Sequence, residues 1–433
     1  MVKGKAIKAV SFLWVGSLAG AGLGFLTQVI IARNLHTDDF GAFSSTLAAI
    51  TLLIPLAGFG LPQFWLKVFG EEGWRAVRWL RKSLFFALLS TALIMCLIVL
   101  WAFIGEHSPA TKVLFLMLLV FVLGQVAVEI ISSKFQLEES YVTLAAWQLL
   151  PHLFRFSLVL VCVKLLESDN YFYGFGGAYL IGGALLLLFG APHLYRLYHG
   201  SLDLVGHGER GAELFSVEPR LRQVILKSFP FGVAGSFHLI YFQSAIVLLS
   251  YLVGDREAGI YNVAFLVMAA IYLFPNIIYQ KFLLPKIHRW ANQNRDLFYK
   301  SYRLGSVAML GIGGVASLLV WLLSPYLLPV LFGPAYNDSI ETLRWLSLCA
   351  PLRFMATSVG SVLVTQDHMV SKIKCMGVVA GLNIVLSLLL VPKLSIFGAL
   401  VATFLSEALL LGLYYFVVRR YVFNLRMGAD GEL

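Results

Sequence analysis

The sequence predicts an all-α, polytopic membrane protein of about twelve transmembrane helices, and three observations carry that prediction. Hydrophobic residues make up 59% of the chain and charged ones only 13%. Soluble domains carry roughly a quarter charged residues, so lipid must be the solvent for most of this surface. The apolar runs reach the ~20 residues a helix needs to cross hydrocarbon, and the alternating ten-residue segments that mark barrel strands do not occur. Lysine and arginine gather in every second break between runs, the signature of a chain threaded repeatedly through a bilayer.

The first span, 9–32, follows Lys3, Lys5 and Lys8. Ala19 and Ala21 mimic a signal-peptide cleavage site, but the apolar run continues to Ala32, so the segment reads as a retained span. Spans at 41–66, 83–104, 113–133, 142–163 and 173–195 complete a first set of six. The second set lies at 228–252, 259–283, 304–323, 343–364, 374–391 and 396–418. Placing both termini and the even-numbered loops in the cytoplasm collects about 25 of the 33 basic residues there and leaves about six outside. A bacterial or archaeal inner membrane with N- and C-termini inside is the expected location.

The polar insertion 199–222 falls midway and reads as a linker between lobes 1–198 and 223–433. LHTDDFGAF at 35–43 aligns with VGDREAGIY at 253–261, an offset of 218, each an acidic turn with a glycine. FGGAYLIGGALLLL at 175–188 resembles IFGALVATFLSEALLL at 396–411 at nearly the same offset. Two six-helix bundles in parallel orientation imply a pseudo-two-fold along the membrane normal, with transport by rocking one bundle on the other.

Composition also excludes function classes. Cys96, Cys162, Cys349 and Cys375 stand singly in apolar runs, so no metal site or disulfide frame is expected. The net charge of +10 is distributed among short loops rather than gathered on one face, which argues against nucleic acid and for topology and anionic lipid contact. No P-loop or GxSxG elbow occurs and loops are short, so no cofactor and no catalytic residue is expected. The paired carboxylates Asp38–Asp39 and Glu138–Glu139 read as solvated loop charges.

The informative residues are charges inside spans, because a charge at bilayer centre costs roughly 2.5–3.5 kcal/mol on insertion scales and marks a partner or a wet cavity. Gln148, His152 and Arg155 form one polar stripe of the fifth span, and Cys349, Arg353, Thr357 and Ser361 form one in the tenth. A guanidinium at depth suits a diphosphate head, whose oxygens its fork of donors matches. Holding helices together by pairing is the structural alternative. Arg33 closes the first span and snorkels to the interface by the plainer reading. Glu407 and Glu129 are candidates for a coupling proton or for ion pairing, and His238 and Gln243 for a polar lining of the seventh span. Gly16, Gly20 and Gly24 read as helix packing, and Pro55, Pro151, Pro230, Pro275 and Pro351 as kinks.

The chain resembles the polysaccharide flippases of the multidrug, oligosaccharidyl-lipid and polysaccharide exporter superfamily over nearly its whole length. The carriers are IIARNLHTDDFGAFSSTLAAI (30–50), GFGLPQFWLK (58–67), the stretch 227–266, LFGPAY (331–336) and LNIVLSLLLVPKLSIFGALVATFLSEALLL (382–411). The resemblance implies two six-helix bundles around a V-shaped cavity. It implies flipping of a polyprenyl-diphosphate-linked oligosaccharide to the outer leaflet, with Arg33, Arg155 and Arg353 as the matching cavity cations. Polysaccharide polymerases or glycosyltransferases are candidate partners, beside the membrane lipids. The drug-exporting branch carries acidic residues in its first or seventh helix; neither span here has one. The competing readings are a cation-coupled drug or metabolite antiporter, a membrane glycosyltransferase or polymerase, for which the external stretch 324–342 offers only Asp338 and Glu341, and a scaffold.

Overall fold

The computed structural model describes residues 2–205, 218–364 and 368–423. Among the described residues, α-helices follow one another without a strand: α1 (Val2–Asn34), α2 (Thr37–Gly58), α3 (Leu61–Glu72), α4 (Val77–Ile104), α5 (Pro109–Leu137), α6 (Tyr141–Leu165), α7 (Tyr171–Tyr198) and α8 (Leu221–Leu252). Then come α9 (Asp255–Asn276), α10 (Leu284–Gln293), α11 (Arg295–Phe332), α12 (Ser339–Ser347), α13 (Cys349–Val362), α14 (Met369–Leu394) and α15 (Ile396–Val417). Residues 206–217 of the expected linker lie outside the described residues.

Nine helical stretches among the described residues are long and apolar enough to cross a membrane, ten if the two halves of α8, bent by 47° between Phe237 and Leu239, count as one span. One of the nine, Thr37–Ile104, strings together α2 and α4, which the sequence treats as separate spans. Leu88, Leu93, Phe103, Val307, Leu318, Leu322 and Val330 stand exposed along α4 and α11. So large an apolar surface is tolerated only in lipid, and the chain is a multi-pass membrane protein.

Two expected spans are broken, for legible reasons. The window 41–66 ends at Gly58, because Phe59 and Gly60 take φ of 46° and 69° and Pro62 stands in the first turn of α3, where no amide donor is needed. The window 343–364 is split at Leu348 into α12 and α13, and Pro351 again occupies the first turn of the new helix.

Contacts divide the chain into two compact units, Met1–Leu35 with Thr46–Leu239, and His36–Ser45 with Ile240–Leu433. In the first unit α1 packs on α6 and α5 on α7. Helices in lipid gain no hydrophobic drive from meeting, so close van der Waals approach must hold them. A Cβ on Gly124 of α5 would lie 2.9 Å from Gly183 Cα, and one on Gly183 would lie 2.6 Å from Val120 O. Ile131, Phe135, Leu144 and Trp147 fill the core between α5 and α6, and the Trp147 indole donates to Val128 O at 3.2 Å. Glu138 is not the solvated charge expected from sequence: Lys134 pairs with it at 2.6 Å, with side chains only 5% and 8% exposed. The i,i+4 spacing at the end of α5 brings them together.

In the second unit α11 packs on α13, α13 on α15, and α14 on α15. The two acidic-turn segments aligned at an offset of 218 lie against one another within this unit. A Cβ on Gly41 would meet Asp255 O, one on Gly259 would lie 2.5 Å from Thr37 O, and Asn262 donates to Ser44 at 2.9 Å across 218 residues. Equivalent positions touching reciprocally is the geometry of a two-fold contact. Ser244, Asn383 and Ser406 form a buried ladder, with bonds of 3.0 Å from Ser244 to Asn383 and from Asn383 to Ser406.

Candidate functional site

The first unit carries an open cavity of about 520 Å³ walled by α1, α3, α5 and α6. Each helix contributes one face. From α6 come Gln148, Pro151, His152 and Arg155, the stripe legible in the sequence at intervals of three and four. From α5 come Gln125, Glu129, Ser132, Ser133 and Gln136, and from α3 come Pro62 and Gln63. Gly16, Ser17, Gly20 and Ala21 of α1 complete the wall.

The glycines expected as packing surfaces set the cavity's shape. Gly16 faces Ala145, while a Cβ on Gly20 would lie 3.0 Å from His152 Cδ2 and one on Gly24 3.2 Å from His152 Nδ1. The bare face of α1 therefore accommodates the imidazole, and any larger residue would push it into the cavity. Arg155 is aimed by its own helix: its Nε donates to Pro151 O at 2.9 Å, and its Nη2 lies 3.2 Å from His152 Nδ1. A guanidinium can only donate, so His152 Nδ1 accepts and its Nε2 carries the remaining proton. The guanidinium faces the rings of Phe121 and Tyr179 at 5.7 and 5.6 Å, and Gln28 of α1 donates to the Tyr179 hydroxyl at 3.1 Å. This aromatic backing lets a cation sit among apolar helices.

Glu129 stands exposed in the same hollow. Gln125 Nε2 and Ser132 Oγ are buried and have no hydrogen-bond partner among the described residues. Unpaired polar groups in an apolar bundle are costly unless water or a polar ligand meets them, so this wall keeps free hydrogen-bonding capacity. Sequence reasoning singled out only Glu129 on α5. The signal for the rest was present: Gln125, Glu129, Ser132 and Gln136 recur every three or four residues in an otherwise apolar span. Gln63 is hidden in the sequence, because the apolar run of α2 continues into α3 and masks the break before it.

Arg353 lies elsewhere, in the second unit. It pairs with Glu407 of α15 at 3.4 Å, with side chains 11% and 3% exposed. The rings of Tyr241, Phe242 and Tyr272 close round its guanidinium at 5.4, 5.1 and 5.8 Å. Thr357, the next residue of its stripe, donates to Arg353 O at 2.9 Å. Gln243 is half-buried, its Oε1 without a hydrogen-bond partner among the described residues, and the His238 side chain lies outside them. Arg33 is exposed in the last turn of α1 and is not among the residues lining the Arg155 cavity. No three His, Cys, Asp or Glu side chains converge as metal ligands among the described residues.

Comparison with known proteins adds to this geometry. A sequence model of the family described as "Polysaccharide biosynthesis protein" matches residues 6–290. The capsular polysaccharide biosynthesis protein CapF of Staphylococcus aureus is 23% identical over 202 residues, covering 46% of this chain and 51% of CapF. The chain thus spans about half the length of the curated relative it matches. Among solved structures, the lipid II flippase MurJ in its inward closed conformation matches with a TM-score of 0.71 at 14% identity, over 94% of this chain and 87% of MurJ. An inward-facing multidrug resistance MATE family transporter of the MOP superfamily matches with a TM-score of 0.71 at 13% identity, over 94% and 96% of the two chains. These two likenesses are of fold: the chain has the all-helical architecture of these transporters.

Proposed function

The chain belongs to the polysaccharide biosynthesis protein family, and from that membership we propose that it flips a polyprenyl-diphosphate-linked oligosaccharide from the cytoplasmic to the outer leaflet by alternating access. The observation that carries this reading is the cavity of the first unit, which sets Arg155, His152 and several glutamines inside an apolar bundle. Its chemistry matches the head of such a lipid. The Arg155 fork meets the diphosphate, and a charge-assisted hydrogen bond of that kind contributes about 1.5–3 kcal/mol. His152 Nε2, Gln148 and the partnerless Gln125 amide supply donors to remaining phosphate oxygens or to the first sugar.

Glu129 is the acidic group on the same cavity wall. Arg353 and Glu407 hold α13 to α15 and keep the second unit rigid while the first exchanges its guest. The protein sits in the cytoplasmic membrane with both termini inside, following the lysine and arginine bias. Lobes 1–198 and 223–433 act as the moving bodies, and enzymes that build or polymerise the oligosaccharide supply and consume the substrate.

The test is the amount of lipid-linked oligosaccharide reachable from outside in membranes carrying equal amounts of protein. Arg155→Ala should lower it at least about tenfold, and Arg155→Lys should keep a part, since charge survives while the two-pronged geometry is lost. Wild-type export by Arg155→Ala overturns the assignment. One observation favours a second reading, cation-coupled antiport: Glu129 is a carboxylate within the cavity. In that case Glu129→Gln abolishes transport of a cationic solute and leaves sugar-lipid export untouched.

A further inference from the structure

The exposed end of the second unit carries a hollow that the flipping scheme leaves unused. It measures about 620 Å³, within the roughly 300–1,000 Å³ of small-molecule sites, and is walled by Trp321, Asn337, Asp338, Glu341, Arg344 and Trp345. Its floor is α12. That helix buries Ser339, Thr342, Leu343, Leu346 and Ser347 and turns Asp338, Glu341 and Trp345 outward at intervals of three and four.

The hollow is held rigidly. Ser339 Oγ donates to Ile260 O at 2.9 Å at one end of α12, and the hydroxyls of Ser317 and Ser347 lie 3.3 Å apart at the other. Arg344 Nε donates to Trp321 O at 3.2 Å, with its guanidinium 5.8 Å from that indole. The two indoles stand edge to face with centroids 6.0 Å apart, and Phe397 braces Trp345 from another side at 5.9 Å. Trp345 remains 41% exposed.

A membrane-interface anchor explains an exposed tryptophan, but it does not explain what surrounds this one. Asp338, Glu341, Arg344 and the Arg256 that pairs with Asp338 at 2.9 Å sum to no net charge. An anionic headgroup meets two carboxylates here, and a cation meets the Arg344 guanidinium and an Asp338 already paired with Arg256. A neutral guest dense in hydroxyls meets neither objection. Carboxylate and amide oxygens accept from vicinal hydroxyls, guanidinium and amide nitrogens donate to them, and an indole face covers the C–H side of a pyranose ring.

We propose that this hollow binds a neutral sugar ring of the oligosaccharide, stacked on Trp345 and hydrogen-bonded by Asn337, Glu341 and Arg344. The assignment rests on the flippase reading for its ligand class. In the orientation proposed above the hollow faces outward, so it takes hold of the glycan as it emerges and disfavours its return.

The experiment uses the full chain in nanodiscs with the methyl glycosides of glucose, galactose and N-acetylglucosamine at millimolar concentration, read by saturation-transfer NMR against empty nanodiscs. At least one glycoside should show transfer concentrated on one face of its ring. That transfer should fall about tenfold in Trp345→Ala and in Glu341→Ala, the latter an exposed position whose loss leaves packing intact, and should persist in Arg155→Ala. Transfer no greater than in empty nanodiscs, or equal in wild type and both hollow variants, overturns the site. Absence of sugar transfer beside Arg155-dependent export defeats this inference alone. Sugar transfer at the hollow in a chain that exports no sugar-lipid upholds the site and defeats the flippase reading.

Discussion

Replacing Glu407 by Ala isolates a largely buried Arg353 in the second unit, and the structure sets the size of the effect. Breaking a buried pair from one side typically costs 3–5 kcal/mol, because a charge is left without its partner. Three aromatic rings within 5.8 Å stay in place around Arg353, and each offers the stranded cation roughly 0.5–2 kcal/mol. The expected loss therefore lies near the lower limit, about 3 kcal/mol, or roughly a hundredfold in the ratio of folded to unfolded protein. Replacing both partners, Arg353→Met with Glu407→Leu, removes the isolated charge and should return stability to within about 1 kcal/mol of wild type. Denaturant titration of the purified protein in detergent reads both numbers, and adding the singles Arg353→Met and Glu407→Leu closes a cycle that separates the pair energy from the single losses. The double variant should also retain export, since its arginine is assigned to holding helices. Losses that simply add in the double variant, or an unperturbed Glu407→Ala protein, would refute the reasoning.

Gly20→Val places a side chain where a Cβ would lie 3.0 Å from the His152 ring. It should lower export sharply while costing about 1–3 kcal/mol of stability, checked by export and unfolding on the same preparation. Lys134→Ala leaves Glu138 buried beside α5 and should destabilise by about 3 kcal/mol, whereas Lys134→Met with Glu138→Leu should recover most of it, as unfolding midpoints will tell. Gly41→Ala drives a methyl into the Asp255 carbonyl; a loss above about 2 kcal/mol and a lower yield of monodisperse protein are expected, with a neutral outcome counting against the reciprocal packing of the two acidic turns.

Much of the fold was legible because membrane insertion is a one-dimensional problem. A helix that satisfies its own backbone in lipid needs only length and apolarity, so every expected window falls on helical chain. The exceptions at Phe59–Gly60 and Leu348 are breaks, and both mark a proline in the first turn of the next helix. A hydropathy window averages over such a residue. The glycines at 16, 20 and 24 could be read as a packing face, but not that their neighbour is the ring of His152.

Sequence by itself determined that the chain lives in lipid, which runs are helical, and that Arg155 and Arg353 stand on polar stripes within apolar runs, since hydropathy and helical period are properties of a single segment. Tertiary structure alone decided what surrounds those two arginines. Arg155 sits midway along α6 and Arg353 near the start of α13, both on polar stripes, yet one opens on a cavity of about 520 Å³ and the other is closed into an ion pair with Glu407. The difference comes from the helices packed against them: α1 presents bare glycines to α6 and leaves space, while α15 presents a carboxylate to α13 and fills it. A side chain's fate in a low-dielectric interior is set by its partners, and partners distant in sequence meet only when the helices pack.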